Sequence, residues 1–312
     1  MASRGRVGET WTRSAEQIFA DHLSARDGLE QASPNRFDLA RCQQLLAEAV
    51  RLRYPKFHDT SDLEDSISFA QEALEGVPTE SPDQHSFLDT LDNGLDCRYE
   101  KFEDILDLDA SIRYLEHPLD ITPPGHPKRA SFLECIGQRY GSRFHRIGSP
   151  SDLDKSIQNH QQALDAALET QEDPAKYFDG LAVALQRRKG HTGEFADLEQ
   201  AIHLGERAEK QARDNNPNKL AFLANTGSNY GRRYGRLGKV SDLDMSIRYI
   251  QQALSIVTDE KLKRAQILLN LSKELRRKAA ILDSPEDLEA AKPHGEDALI
   301  SIADDYPDRD SF

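Results

Sequence analysis

Apolar residues recur along this chain at spacings of three and four, which places side chains on one face of an α-helix. One such series is Leu243, Ile247, Ile250, Leu254 and Val257. Its isoleucine and leucine positions return elsewhere as Ile67, Ile112, Ile157 and Ile202, and as Leu74, Leu119, Leu164 and Leu299. The pattern predicts a set of equivalent amphipathic helices.

A second apolar series lies upstream of each of these helices. It reads Leu133, Ile136, Tyr140 and Phe144 in one stretch, and equivalents are Leu88, Leu91, Leu95 and Tyr99, then Phe178, Leu181 and Leu185, then Leu268, Leu271 and Leu275. No alternating strand pattern competes with it. The sequence therefore predicts an all-α fold of paired helices joined by turns. We expect Ile157, Leu164, Ile136 and Tyr140 to be buried together.

An Asp-Leu-acid triplet marks the start of each second helix and recurs every 45 residues without insertion or deletion. The triplets begin at Asp62, Asp107, Asp152, Asp197, Asp242 and Asp287. A period of this length is typical of stacked helical repeats. It predicts six repeats, at 33–77, 78–122, 123–167, 168–212, 213–257 and 258–302.

Two further expectations concern the ends of the chain. Residues 1–32 form a leader, in which Ser14 to Gln31 is predicted to be the second helix of an eroded earlier repeat. Residues 303–312 are predicted to begin a truncated seventh repeat, because Pro307 to Phe312 aligns with Pro127 to Phe132. We then expect Ala298, Leu299 and Ile302 to form an exposed apolar patch, covered by a longer parent protein or by a partner, through which the chain self-associates.

The polar residues at the second-helix starts indicate helix capping. Ser61, Ser151 and Ser241 each stand three residues before an acid, the capping-box arrangement. Acid pairs such as Asp152 and Asp154 could serve as a general acid and base. Their recurrence in every repeat favours capping instead.

A basic column near the end of each first helix has two interpretations. It consists of Arg53, Arg98, Arg143, Arg188, Arg233 and Lys278. The column could form a strip that binds acidic peptides. The favoured interpretation is structural, with each cation paired to a nearby triplet acid.

Charge and composition narrow the classes of partner and compartment. Fifty-four acidic against forty basic residues give a formal net charge of −14, which disfavours nucleic acid as a partner. Cys42, Cys97 and Cys135 leave an odd thiol, which indicates a reducing compartment. No signal-peptide run or membrane-length apolar stretch is present in the sequence. These features predict a cytoplasmic protein without membrane partners.

The sequence contains no recognisable catalytic constellation. It lacks a His-Glu-x-x-His motif, zinc-site spacing of Cys or His, and a Gly-x-Ser-x-Gly elbow. The glycine-rich run from Gly227 to Lys239 has Arg233 and Val240 where a Walker loop needs Gly and Ser or Thr. We therefore predict no enzyme activity, no catalytic residues, no cofactor and no metal site.

The residues inside the first helices resemble a known family. Leu133-x-x-Ile136-Gly137-x-x-Tyr140 and Leu223-x-x-Thr226-Gly227-x-x-Tyr230, with the later Ala163-Leu164 and Ala253-Leu254, resemble the tetratricopeptide motif. The period exceeds the usual length of about 34 residues. With the linker Gly125 to Arg129, the pattern is similar to long-unit tetratricopeptide arrays of filamentous fungi, which accompany CHAT caspase-like or nucleotide-binding signalling domains. The resemblance implies an α-solenoid, a right-handed superhelix of helix-turn-helix repeats.

The resemblance also implies a function and a binding face. It predicts a non-enzymatic interaction scaffold or adaptor that binds a protein or peptide, of acidic character, in the concave groove lined by first helices. The alternative is an oligomerisation or regulatory segment of a larger signalling or CHAT peptidase protein. The peptide-binding positions that it implies are Lys176, Gln186, Arg187, Asn225, Ser228, Arg232, Gln266, Asn270, Lys273, Arg276 and Arg277.

Overall fold

The structure, a computed structural model, describes residues 20, 24, 27, 35–78, 81, 83–193, 195–212, 216, 218–257 and 261–303. Every regular element in these residues is helical, as the sequence predicts. Ala20, Ser24 and Asp27 are helical, and the rest of the predicted leader helix lies outside the described residues. Pro307 to Phe312 also lies outside them.

Twelve long helices follow one another in the described ranges. They are α1 (Arg36–Phe57), α2 (Ser61–Glu75), α3 (Gln84–Phe102), α4 (Ile105–Ile121), α5 (Arg129–Ile147), α6 (Pro150–Glu169), α7 (Ala175–Thr192), α8 (Phe195–Gln211), α9 (Lys219–Leu237), α10 (Val240–Ile256), α11 (Lys261–Leu282) and α12 (Pro285–Ala303). Each triplet lies in the first turn of an even-numbered helix, as predicted. Each of the six proposed repeats contains one odd-numbered helix followed by one even-numbered helix.

The chain divides into two compact blocks. The N-terminal block comprises Met1–Pro123 with Ser142–Gly148, and the C-terminal block comprises Pro124–Gly141 with Ser149–Phe312. One core cluster of the N-terminal block is Ala47, Ile67, Ala70, Leu91 and Leu95. The C-terminal block has a larger cluster from α8 to α12, which includes Leu198, Ile202, Leu223, Leu243, Ile247, Ile250, Leu271 and Leu275.

The predicted core group of the third repeat is only partly confirmed. Ile136, Tyr140 and Leu164 are at most 5% exposed. Ile157 is partly exposed, so the prediction that all four are buried is wrong for this residue. Its counterparts Ile67, Ile112, Ile202 and Ile247 are buried.

Glycine allows the two helices of a repeat to cross closely. A Cβ on Gly137 would lie 3.0 Å from the His160 ring of α6, and one on Gly227 would lie 3.0 Å from Ile250 of α10. Beside each crossing, a buried serine of the even helix donates to the glycine carbonyl, Ser156 to Gly137 and Ser246 to Gly227, each at 2.7 Å. The close crossing is therefore fixed by a hydrogen bond as well as by the missing side chain.

The predicted capping boxes are wrong. Ser61 is the first residue of α2, while α6 and α10 begin one residue before Ser151 and Ser241. The first-turn amides of α2 and α4 instead bond Asp59 and Asp104, which lie before the triplets. The leading acids of the first five triplets are buried among the helices, whereas Asp287 of the sixth is only partly buried.

Candidate functional site

The basic column that begins with Arg53 is held by the triplet acids. In four repeats, the guanidinium pairs with the first acid of its own triplet: Arg53 with Asp62, Arg98 with Asp107, Arg188 with Asp197, and Arg233 with Asp242. The last two contacts measure 2.8 and 2.7 Å. Hydrogen bonding to Asp242 raises the pKa of Arg233. These contacts confirm the structural interpretation, so the column is not a free binding strip.

The same column also reaches the preceding repeat. Arg143 pairs with Asp109 at 2.5 Å, and Lys278 pairs with Asp244 at 3.0 Å. Arg233 makes the equivalent contact to Glu199 at 2.7 Å while it keeps Asp242. In these three triplets, the acid at the third position thus ties its repeat to the next one.

A second arginine column lies one residue before the structural one in the C-terminal block. Each of its side chains leans back onto the odd helix of the preceding repeat, 46 residues earlier. Arg187 lies so close to Gly141 that a Cβ there would collide with its guanidinium. Arg277 Nη1 donates to the Gly231 carbonyl at 3.3 Å.

Arg232, the middle member, follows the same rule with a different neighbour. With the Gln186 amide turned so that its oxygen faces the guanidinium, Oε1 accepts from Arg232 Nη1 at 2.5 Å. Gln186 stands 46 residues before Arg232, as Gly141 stands before Arg187. The three guanidiniums therefore occupy equivalent places on successive helices.

Arg187 and Arg232 differ from the structural column in their acidic partners. Among the described residues, no carboxylate lies within salt-bridge reach of either guanidinium. Burial against the helices lowers the pKa of both side chains, and no acid opposes that effect. Both residues are nevertheless exposed. Water therefore solvates both charges, which stay accessible to an incoming anion.

Arg277 differs from the other two because it already has a carboxylate. Glu274 Oε2 lies 3.0 Å from its Nη1, and Glu274 is 6% exposed. The guanidinium also stands over the Tyr234 ring, 5.6 Å from its centroid. An anion would have to compete with Glu274 at this position.

Polar groups that are not charged lie between the arginines. Asn225 donates to Asp179 at 3.1 Å, and Ser228 and Asn270 are partly exposed. Lys176 and Gln266 lie near the starts of α7 and α11, where Lys176 stands over the Tyr177 ring at 4.5 Å. The structure thus places Gln186, Arg187, Asn225, Arg232 and Arg277 each in contact with a residue of a neighbouring odd helix.

Lys273 and Arg276 belong to a different place. With Lys292 of α12 they line a cleft of about 510 Å³ between α11 and α12, whose other walls include Leu269 and Leu299. Lys273 also adjoins the second arginine column, because its Nζ lies 3.8 Å from the Glu274 carboxylate that pairs with Arg277. The predicted set therefore has two parts that meet at Glu274.

The α5 and α7 part of the odd-helix face is acidic. Burial raises the pKa of Asp179 to about 6, and the nearby Glu134 charge adds to this, whereas Asn225 and His160 oppose it. His160 Nδ1 lies 3.0 Å from Glu134 Oε2. The face thus changes from acidic at Glu134 and Asp179 to basic at Arg232 and Arg277.

The N-terminal block has its own cleft, of about 660 Å³, among α2, α3 and α4. Arg113, Tyr114, His117 and Pro118 of α4 line one wall. None of the predicted binding residues lies there.

Within the described ranges, no group of three or more His, Cys, Asp or Glu side chains is placed to hold a metal ion. Of the helices that the structure describes, none has the length and apolar character to span a bilayer.

Solved structures share this arrangement of helices. The C-terminal part of a TPR repeat-containing protein from Cytophaga hutchinsonii matches 92% of this chain and 98% of its own, at 11% identity and a TM-score of 0.53. A putative kinesin light chain from Podosopora anserina, described by its nearly identical TPR-like repeats, matches 73% of this chain and 99% of its own, at 14% identity and a TM-score of 0.51. The fold is a tetratricopeptide-like helical repeat. No protein-family model matches the sequence, and no curated protein matches it.

Sequence reasoning missed two features of this tetratricopeptide-like repeat. Gly141 accommodates the Arg187 guanidinium of the next repeat and Gly231 accommodates the Glu274 carboxylate, and both were visible as a second glycine four residues after Gly137 and Gly227. Glu134 and Asp179 continue an acidic column that starts at Asp89 with the same interval of 45 and ends before Ala224, so the sequence carried a signal for them as well.

Proposed function

We propose that the odd-helix face of the C-terminal block binds an acidic peptide segment of a protein partner, in the cytoplasm and without catalysis or a cofactor. The observation that carries this proposal is the pair Arg187 and Arg232. Both residues are exposed, and neither has a carboxylate partner among the described residues, in a chain of net charge −14. Carboxylates form strong, often bidentate hydrogen bonds to guanidinium groups.

The basic column that begins with Arg53 differs from the second arginine column in its acidic partners. Arg188 and Arg233 stand directly beside Arg187 and Arg232, yet each is bonded to a triplet acid. The protein therefore neutralises one of two adjacent arginines and leaves the other without an acid. Gln186, Asn225 and Ser228 lie close by and can bond a peptide backbone.

The test compares two variants of the full chain with the same charge change. Arg187→Gln with Arg232→Gln removes the unpaired cations, and Lys210→Gln with Arg248→Gln removes two exposed cations of even helices. A fluorescein-labelled aspartate-rich peptide and its asparagine counterpart are titrated by fluorescence anisotropy. We expect the wild type and the control to bind only the acidic peptide, and the site variant to lose at least about tenfold in affinity. Equal affinity of both variants for the acidic peptide would refute the proposal.

A second candidate function is self-association, either of the chain alone or as a regulatory segment of a larger signalling protein. It is favoured by exposed apolar residues on α12: Leu288, Leu299 and Ile300 are 45%, 65% and 60% exposed. Of the predicted patch, Leu299 is exposed, the prediction is wrong for Ala298, which is 0% exposed, and the Ile302 side chain lies outside the described residues. Exposed apolar patches often mark interfaces. Sedimentation velocity of the wild type and of Leu299→Glu with Ile300→Lys tests this candidate. A concentration-independent monomer in both cases would rule it out.

A further inference from the structure

Four polar residues form a seam between α7 and α9: Asp179 and Gln186 of α7, and Asn225 and Arg232 of α9. Asn225 Nδ2 donates to Asp179 at 3.1 Å. Oε1 of the turned Gln186 amide accepts from Arg232 Nη1 at 2.5 Å. In each helix, the second of these residues follows the first by seven positions. Seven residues are nearly two helical turns, about 10.5 Å of rise, so both contacts lie on the same side of each helix.

The Asp179 carboxylate differs from the leading triplet acids in its partners. No Lys or Arg side chain in the described part of the chain lies within salt-bridge reach of it. Lys176, three residues earlier on α7, lies 3.8 Å from Glu172 instead. His160 Nδ1 lies 3.0 Å from Glu134. Asp179 is only partly buried, so a cation from outside can reach its carboxylate.

Arg232 stands at the other end of the seam with the opposite charge. The residue is exposed, and no carboxylate of the described residues lies within salt-bridge reach of its guanidinium. A segment that lies along the seam therefore meets a negative group at one end and a positive group at the other. Acids alone would pair with Arg232 but would be repelled by Asp179 and by the nearby Glu134 charge. A segment that also carries a cation is attracted at both ends.

We infer that the partner segment carries a basic side chain, Lys or Arg, in addition to its acidic residues, and that this cation binds Asp179 while an acid binds Arg232. The inference rests on the proposed function. The odd-helix face of the C-terminal block then selects segments of mixed charge over uniformly acidic ones.

Two labelled peptides test for the basic residue. Each has an Asp-rich half joined by about six Gly and Ser residues to a half with either two Lys or two Gln, and this flexible linker can span about 10.5 Å without imposing a spacing. By fluorescence anisotropy, we expect the full-length wild type to bind the Lys peptide at least about threefold more tightly than the Gln peptide. Asp179→Asn should remove this advantage. Asp165→Asn, which makes the same charge change at an exposed position of α6, should keep it.

The possible failures of this experiment have different meanings. Equal binding of both peptides by the wild type, or an advantage that Asp179→Asn leaves intact, would overturn the inference. The proposed function would still stand if both peptides bind and Arg187→Gln with Arg232→Gln weakens them. If Asp179→Asn and Asp165→Asn reduce the advantage equally, attraction to the net charge explains it and the inference is wrong. Failure of both peptides to bind would refute the proposed function and the inference with it.

The pH dependence of the wild type supplies a second test, without any substitution. Burial raises the pKa of Asp179 to about 6, and Glu134 of α5 adds to this, whereas Asn225 of α9 and His160 of α6 oppose it. The Asp179 carboxyl is thus charged above about pH 6 and gains a proton as the pH falls through that value, while the peptide aspartates stay charged down to about pH 4. We expect the Lys advantage to be complete at about pH 7.5 and lost at about pH 5. The same advantage at both pH values would overturn the assignment of the cation to Asp179.

Discussion

At the scale of single residues, the two acids of a triplet have different partners although the sequence makes them look alike. Asp242 is 3% exposed and accepts bonds from Arg233 of its own repeat. The Asp244 side chain is 52% exposed and pairs with Lys278 of the next repeat. A buried acid loses more when its partner interaction is weakened than an exposed one does.

We therefore expect Asp242→Asn to lower the free energy of unfolding by about 1–3 kcal/mol. Asp244→Asn should lower it by less than about 1 kcal/mol, because water screens the exposed pair. Urea denaturation followed by far-UV circular dichroism compares these variants, which remove the same charge two residues apart. Equal losses would contradict the distinction between the two acids.

At the candidate site, the sequence identifies the arginines but not their partners. Arg187, Arg232 and Arg277 could be selected from the sequence, because they form a column in the first helices. Whether each of them has an acidic partner could not be predicted from the sequence. Arg188, one residue after Arg187, is paired with an acid, and nothing in the sequence distinguishes the two. The partner of a side chain depends on which helices are in contact, and the 45-residue period does not predict those contacts.

At the scale of helices, α9 contains glycines with opposite roles. A Cβ on Gly227 would lie 3.0 Å from the Ile250 side chain and 3.2 Å from the Ser246 carbonyl oxygen. A Cβ on Gly235 would meet nothing within 4 Å. The first glycine permits the crossing with α10, whereas the second only weakens the helix.

Alanine at these two positions should therefore change stability in opposite directions. We expect Gly227→Ala to lower the free energy of unfolding by about 1–3 kcal/mol, because a backbone oxygen has to move. Gly235→Ala should raise it by about 0.5–1 kcal/mol through helix propensity. Thermal and urea unfolding of both variants provide the comparison. A stabilised Gly227→Ala would show that the crossing is looser than these distances indicate.

Periodicity predicted the helices well because every repeat restates the same pattern. It placed the triplets at the even-helix starts, yet it misassigned their acids to capping. An acid at a helix start can accept hydrogen bonds from the first backbone amides of that helix or pair with a neighbouring cation. Only the position of the Arg233 side chain shows that Asp242 pairs with the cation. Ile157 fails for a related reason: membership of an apolar column does not report how completely the neighbouring helices cover that position.

At the scale of the molecule, repeats that touch only their neighbours should respond locally to damage. Ile250 of α10 is 4% exposed within the core cluster of the C-terminal block. Ile250→Ala should cost about 2–5 kcal/mol there. Hydrogen exchange read by mass spectrometry should then show lost protection in α8 to α11 and almost none in α1 to α3. Ile256→Ala, at a position 40% exposed on the same helix, serves as the control. Uniform loss along the chain would mean that the molecule unfolds as one cooperative unit.

The contacts between repeats join residues at fixed sequence separations, 34 for Arg233 with Glu199 and 46 for Arg277 with Gly231. Inserting or deleting one residue within a helix would turn the remainder of that helix by about 100°, and it would change every such separation that spans the site. Adding a whole period preserves them. Duplicating residues 213–257 in tandem should therefore give a longer protein with one more unpaired arginine. Gene duplication by whole repeats is thus the route of growth that this architecture tolerates, and its binding face can be lengthened in steps of one arginine.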